Sequence, residues 1–242
     1  MDPYLSVIVP CYNEERRISS TLVAIHTYLS TQPYSWELLL VLDGVSDGTL
    51  GVVEAFASDH AGVNWIDRKA NRGKGFTVRE GMLAARGEIR LFTDADNSTD
   101  ISHFDKMRPL FDAGSDVVIC TRDARDAASA REAVAQPLLK QVLGTLGNLF
   151  IQAVAVPGIW DTQCGFKAFT KASALRIFEI SKIDRWGFDI EVLALARHFG
   201  LKTCLIAAYW IDNSETHVTP LNYLEVLGET VRVRLNLLFR RY

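Results

Sequence analysis

Leu91-Phe92-Thr93-Asp94-Ala95-Asp96-Asn97-Ser98-Thr99-Asp100 decides how the chain is read. The apolar run from Ile89 to Thr93 has the composition of a buried strand, and it stops on two carboxylates separated by one small residue. Side chains alternate faces along extended backbone, so Asp94 and Asp96 point the same way and Ala95 leaves room beside them. Carboxylates so placed form a clamp for a hard divalent cation, Mg²⁺ or Mn²⁺, which prefers oxygen ligands and commonly joins one or two carboxylates to substrate phosphates. The same residues also fit a strand end followed by a helix cap at Ser98, Thr99 or Asp100. The rest of the chain weighs the two.

Further apolar, β-branched runs lie at Leu5 to Pro10, Trp36 to Leu42, Val63 to Ile66 and Asp116 to Cys120. Helical periodicity fills the gaps: Ile18, Leu22, Ile25 and Leu29 behind Asn13 as expected N-cap, then Val78, Met82 and Ala85. Strands alternating with helices imply an α/β fold, a mostly parallel, Rossmann-like sheet covered by helices on both faces. In such sheets ligands bind outside the carboxyl ends of the strands. Pro10-Tyr12-Glu14, Asp43 to Asp47, Arg72-Gly73-Lys74, Asp94-Asp96 and Arg122 all fall at those ends. Asp43 suits a ribose hydroxyl or a base edge, Tyr12 the face of a base, and the glycines around Lys74 let backbone amides approach phosphate. Neither a Walker loop nor a Gly-x-Gly-x-x-Gly fingerprint follows the first strand, so a nucleoside diphosphate bridged to the protein by a metal fits best.

After Arg122 the pattern changes. Asp123 to Arg131 is polar, Pro137 to Val156 has a broad apolar face flanked by Arg131 and Lys140, and it suits either a core helix or an interfacial one. A polar loop, Asp161 to Gly165, runs into a strand, followed by a helix from Lys171 to Ile180. Asp189 and Glu191 sit in the first turn of a helix carrying Ile190, Leu193, Leu195 and Ala196. There an anion favours the helix N-terminus, and alternatively one of the two faces the reaction centre or orients an arginine. A strand from Thr203 to Ile211 and a final helix from Pro220 complete the chain, the latter mixing Arg232, Arg234, Arg240 and Arg241 with Leu235, Leu238 and Phe239 as a membrane-surface element would.

Composition sets bounds on these readings. At 242 residues and 48% hydrophobic, one domain over 1–242 with a single large core is expected. A net charge of −3 gives no overall pull toward nucleic acid, so anion binding has to come from local clusters. Cys11, Cys120, Cys164 and Cys204 lack metal-binding spacing and read as reduced, buried thiols. No basic n-region and apolar h-region opens the sequence, and no stretch makes a convincing spanning helix, so a cytoplasmic protein is expected.

Ser6 to Glu14, Asn71 to Gly75 and Asp94-Ala95-Asp96 resemble the nucleotide-sugar domain of family 2 inverting glycosyltransferases of GT-A fold. Asp161-Thr162-Gln163-Cys164-Gly165-Phe166-Lys167 and Arg185-Trp186-Gly187-Phe188-Asp189-Ile190-Glu191 narrow the resemblance to dolichyl-phosphate β-glucosyltransferases and their polyprenyl-phosphate relatives. The resemblance implies that Pro10, Tyr12, Glu14, Asp43, Lys74 and Ala95 line the nucleotide-sugar site, with Asp94, Asp96 and Ser98 bringing the metal to the diphosphate. It implies a donor half, 1–122, and an acceptor half, 123–242, whose late helices face the membrane. Two departures stand out: Leu42-Asp43 replaces a double aspartate, and Thr216-His217-Val218 replaces Ser-Lys-Leu. Many relatives carry transmembrane helices, so attachment here is expected to be peripheral, at the cytoplasmic face.

The implied reaction moves a hexose, glucose from UDP-glucose by preference, onto a polyprenyl phosphate with inversion. A phosphate monoester carries about −1.5 to −2 charges at neutral pH and is already a nucleophile. The remaining tasks are charge neutralisation around Asp96 and alignment by Arg122 and Arg185; a hydroxyl acceptor would instead require Asp189 as base. The rival readings are a GDP-mannose donor, a soluble sugar acceptor, a nucleotidyltransferase, which the missing Gly-rich loop disfavours, and a non-catalytic membrane-surface binding protein.

Overall fold

The computed structural model describes residues 2–132, 138–211 and 220–242. Its strands are β1 (Leu5–Cys11), β2 (Trp36–Asp43), β3 (Val63–Arg68), β4 (Ile89–Thr93), β5 (Val117–Thr121), β6 (Arg131–Glu132), β7 (Phe166–Thr170), β8 (Thr203–Ala207) and β9 (Tyr209–Trp210). Its α-helices are α1 (Ile18–Ser30), α2 (Thr49–Asp59), α3 (Lys74–Ala84), α4 (Phe104–Asp112), α5 (Leu138–Val154), α6 (Lys171–Phe178), α7 (Phe188–His198) and α8 (Pro220–Leu238). Seven strands make one sheet in the order β3-β2-β1-β4-β7-β5-β8, while β6 and β9 pair separately.

β1, β4 and β5 are buried end to end because both faces of the sheet are covered. The two-residue alternation sorts their side chains. Val7, Val9, Leu38, Leu40 and Leu42 pack in one layer with Ile18, Leu22 and Ile25 of α1, Val53 of α2, and Phe104 and Met107 of α4. Ile8, Leu39, Val41 and Phe92 face the other layer, with Val78 and Met82 of α3, Ile177 of α6, Leu193 of α7, Ile151 of α5 and Val226 and Val233 of α8.

The expected mostly parallel sheet is present, with one reversal that matters. β7 runs antiparallel between β4 and β5, whereas β1 with β2, β1 with β4, β2 with β3 and β5 with β8 are parallel. A reversed strand presents its amino end where its neighbours present their carboxyl ends. The loop before Phe166 therefore joins the rim that carries the other polar clusters.

Three expectations need correction. Asn13 does not cap α1; that helix starts at Ile18, and Asn13 sits at φ 54° with its side-chain oxygen accepting the Ser46 N–H at 2.8 Å, so its amide ties two loops together instead. The expected strand from Thr203 to Ile211 is broken at Ala208, whose N–H donates to Thr121 O at 2.8 Å. Beyond it the chain leaves the sheet: Tyr209 N–H donates to His103 Nε2 at 3.0 Å and Ile211 N–H to Ser98 O at 3.0 Å. The helix expected to reach Ile180 stops at Phe178. Pro137 and the Thr216-His217-Val218 departure lie outside the described residues.

The opposite rim is locked by one buried carboxylate. Glu37 accepts Ser6 Oγ at 2.5 Å, Arg86 N–H at 2.7 Å and Arg86 Nε at 2.9 Å, while Ser6 Oγ also accepts Gly87 N–H at 2.7 Å. Burial by itself favours the neutral acid, but Ser6 and Arg86 outweigh it and hold the carboxyl below the usual glutamate range. An acid with a lowered folded-state pKa stabilises the fold above its unfolded value and withdraws that stability as pH falls through the folded one. Glu37→Gln should thus cost about 2 kcal/mol in urea denaturation at pH 7, a deficit that shrinks as pH falls through the carboxylate range. A deficit independent of pH would show that the charge on Glu37 contributes nothing.

Candidate active site

The five rim clusters converge on one cleft of about 610 Å³. Every residue proposed from the sequence lines it: Pro10, Tyr12, Glu14, Asp43, Lys74, Asp94, Ala95, Asp96, Ser98, Arg122, Arg185 and Asp189.

One wall is built by the loops after β1 and β2. Glu14 is buried, its N–H donating to Thr49 Oγ1 at 2.8 Å and its carboxylate gripped by both Arg17 Nε and Arg17 Nη2, the latter at 2.8 Å. Tyr12 is 40% exposed, a ring presented to the cleft. Asp43 faces inward, yet both of its oxygens accept backbone donors, Arg72 N–H at 2.7 Å and Gly73 N–H at 2.8 Å, with Arg68 Nη2 at 3.0 Å. It thus moulds the 71–74 loop that ends at Lys74. That loop lies directly on the segment before α7: a Cβ on Gly75 would come 2.5 Å from Ile183 O and 2.6 Å from Phe188 Cβ. Glu191 braces the same segment from behind, accepting Lys182 N–H and Ile183 N–H, each at 2.9 Å, and the Tyr242 hydroxyl at 2.6 Å. The alternatives left for the first turn of α7 are thereby resolved: Asp189 lines the cleft and Glu191 is structural.

The floor is the end of β4. Ala95 turns into the core, where its carbonyl accepts the Thr21 hydroxyl at 2.7 Å, while Asp94 and Asp96 turn outward together. Asp94 N–H donates to Gly165 O at 3.2 Å, and Asp94 Oδ1 pairs with Lys74 Nζ at 2.6 Å. A Cβ on Gly165 would sit 1.9 Å from Asp94 Oδ2, so only glycine lets the loop close over this carboxylate. Asp96 Oδ1 accepts Ser98 N–H at 2.9 Å, and Asp100, not Ser98, provides the helix cap by accepting Ser102 N–H. Burial and the adjacent charge of Asp94 push the Asp96 carboxyl above its ordinary value. Burial also opposes the charge on Lys74, but Asp94, Asp189 and Asp96 more than offset it and keep the amine protonated.

This donor set fits a hard cation. Among the described residues no group of three or more His, Cys, Asp or Glu forms a complete cage. Two carboxylates and the Ser98 hydroxyl at one edge would leave a divalent ion to complete its shell with phosphate and water.

The far wall belongs to the second half of the chain. Asp161, in the loop before β7, takes Arg122 Nε and Nη2 at 2.8 Å each and the Arg122 N–H at 2.8 Å. Although burial alone would raise it, Arg122 holds the Asp161 carboxyl below its usual range. The Arg122 guanidinium lies 5.3 Å from the Trp210 ring, a contact that exists because β9 leaves the sheet. Arg185 pairs with Glu225 of α8 at 2.7 Å, and Trp186 stands 5.7 Å from Lys74 Nζ. Asp189 Oδ1 accepts Lys167 Nζ at 2.5 Å.

Arg17, Trp210, Asn222 and Tyr223 also line the cleft and were not among the residues proposed from the sequence. Arg17 was discoverable, since it lies three residues beyond Glu14 at the start of a helix. Trp210 was not, because nothing in an unbroken apolar run marks where a strand leaves its sheet.

Residues 6–178 match the sequence profile of glycosyl transferase family 2. A dolichyl-phosphate beta-glucosyltransferase from Dictyostelium discoideum is 31% identical over 97% of this chain and 75% of its own length. One from Drosophila melanogaster is 35% identical over 89% of this chain and 69% of its own. The crystal structure of glucosyl-3-phosphoglycerate synthase from Mycobacterium tuberculosis, in complex with Mn²⁺, UDP-glucose and phosphoglyceric acid, has a TM-score of 0.67 at 17% identity, covering 97% of this chain and 79% of that one. At that identity the likeness speaks for the fold, which is GT-A. The chain belongs to glycosyl transferase family 2.

Because burial and Asp94 disfavour ionised Asp96, Asp96→Asn should leave the metal-free protein as stable as the wild type or more so, while Mn²⁺, expected to raise the melting temperature of the wild type, should not raise that of the variant. A variant that Mn²⁺ still stabilises as it does the wild type would contradict the clamp.

Proposed function

We propose that this glycosyltransferase moves glucose from UDP-glucose onto a polyprenyl phosphate of the dolichyl type. The observation that carries the reading is the pairing of Asp94 and Asp96 with a cationic far wall, Arg122 and Arg185, across one cleft. The names of the Dictyostelium and Drosophila relatives supply the substrate class, and both cover more than two thirds of their own length with this chain.

Residues 1–122 hold the donor in this account, with Pro10, Tyr12, Glu14 and Ala95 around the nucleoside, Asp43 shaping the 71–74 loop, and Lys74 beside the diphosphate. Asp94, Asp96 and Ser98 would hold Mg²⁺ or Mn²⁺, which when bound supplies positive charge against the leaving diphosphate. Residues 123–242, with Arg122 at the boundary, receive the acceptor. Arg122 and Arg185 grip its phosphate, giving up part of their pairing with Asp161 and Glu225, and align one oxygen with the anomeric carbon opposite the diphosphate. The phosphate is its own nucleophile, so no side chain has to remove a proton. A single displacement follows, and the α-linked donor gives a β-linked product.

The acceptor's chain stays in a bilayer, so the cleft has to meet the headgroup plane. No helix among the described residues is long and apolar enough to cross a membrane. A peripheral mode is supported by α8, whose exposed Leu221, Leu224, Val231, Leu235 and Leu238 follow one another at gaps of three, seven, four and three residues, and by the exposed Leu146, Leu149 and Phe150 of α5. Arg232, Arg234, Arg240 and Arg241 are exposed beside them, each worth ~1 kcal/mol near an anionic surface. We place the protein at the cytoplasmic face, consistent with free Cys11, Cys120, Cys164 and Cys204.

With Mn²⁺ and a polyprenyl phosphate, the purified protein should transfer from UDP-glucose and lose at least about 100-fold in rate with excess EDTA. Equal rates in EDTA, or transfer from GDP-mannose alone, would overturn the metal or the donor assignment. Co-sedimentation with anionic liposomes should weaken at high salt and on changing the four arginines to glutamine. Protein remaining in the supernatant at low salt would point instead to a soluble acceptor.

A further inference from the structure

Lys167 is the residue of the loop-to-β7 motif for which the reaction so far has no use. Its side chain is 0% exposed, in the middle of the sheet, with Nζ 5.5 Å from the Phe92 ring. A buried ammonium is costly unless its donors are satisfied, and here they go to two places: Asp189 Oδ1 at 2.5 Å and Cys164 O at 2.6 Å. Both partners lead to the cleft. Asp189 lines it directly, and its Oδ2 accepts no hydrogen bond among the described residues. Cys164 precedes Gly165, the residue that packs without clearance on Asp94.

We propose that Lys167 is a positioning residue for sugar transfer: its ammonium fixes the Asp189 carboxylate so that Oδ2 accepts a hydroxyl of the donor hexose. Burial opposes the charge on Asp189 and pushes its carboxyl above the ordinary value, so Lys167 is needed there for its charge, and beyond charge the contact is directional. It commits Oδ1 and leaves one oxygen for the cleft. The hexose is the matching ligand because Asp189 lines the same cleft as Lys74 and Asp94, which flank the diphosphate in the proposed complex, and the sugar is bonded to that diphosphate. This inference rests on the nucleotide-sugar reading of the cleft.

The test compares Lys167→Met, Asp189→Asn and the double variant by melting temperature, by calorimetric binding of UDP and of UDP-glucose with Mn²⁺, and by transfer rate. UDP affinity should stay within about twofold throughout, while UDP-glucose loses about tenfold and kcat falls at least about tenfold. In the double variant no buried charge is stranded, so its melting temperature should recover toward the wild-type value while sugar binding and transfer do not. A double variant that melts, binds UDP-glucose and transfers like the wild type shows a purely structural ion pair and overturns the inference. Wild-type protein that binds neither UDP nor UDP-glucose overturns the nucleotide-sugar reading and this inference with it. Wild-type protein that binds UDP-glucose but does not glycosylate polyprenyl phosphate overturns the acceptor assignment alone, and the affinity comparison still decides on Lys167.

Discussion

Two carboxylates are held side by side at the end of β4, and they repel each other. Lys74 pairs with Asp94, while burial and the neighbouring charge of Asp94 push the Asp96 carboxyl above its ordinary value. A divalent cation would relieve that repulsion in the proposed complex, and much of the surrounding structure holds the two carboxylates where they are. Lys74 is delivered by a loop moulded on Asp43; the loop is seated through Gly75 on the segment before α7, and Glu191 holds that segment from behind. Gly165 closes from the other side with no room for even a methyl group.

The reversal of β7 completes the arrangement. In a wholly parallel sheet the Asp161 to Gly165 loop would emerge at the rim where Glu37 is buried. Reversed, it carries Asp161 to Arg122, Gly165 to Asp94, and Lys167 to Asp189. Residues 1–122 and 123–242 meet through this loop, and on the far wall Asp161, Glu225 and Asp189 each have a basic partner. Arg122 and Arg185 are therefore held in place by Asp161 and Glu225, as alignment of a phosphate in the proposed reaction would require.

Much of this was legible in the amino-acid order, for reasons that can be named. Strand runs such as Leu5 to Cys11 stand out because both faces of the sheet are covered, and Asp94 and Asp96 share a face because extended backbone alternates. Local features governed by long-range contacts were not legible. Asn13 has the composition of a helix cap, but its amide bonds Ser46 in another loop. Asp43 reads as a ligand contact and does line the cleft, but its grip on the 71–74 loop, a pairing of residues some thirty apart, is encoded by no periodicity. Thr203 to Ile211 reads as one strand because its apolar content does not record that Ala208 is where it parts from β5. Asp189 and Glu191, two residues apart at a helix start, point to different environments, and only the placement of Lys167 and Tyr242 separates them.

The central claim is that a phosphate oxygen, aligned by the arginine wall, attacks the sugar on the side opposite the diphosphate held at Asp94 and Asp96. Its stereochemical consequence is unavoidable: one displacement turns an α-linked donor into a β-linked product. The most direct measurement is the anomeric configuration of the first-formed glucosyl phosphate lipid, read by NMR from an α-linked UDP-glucose donor. The account predicts the β anomer; an α-linked product would require a second displacement or attack from the diphosphate side, and would contradict it.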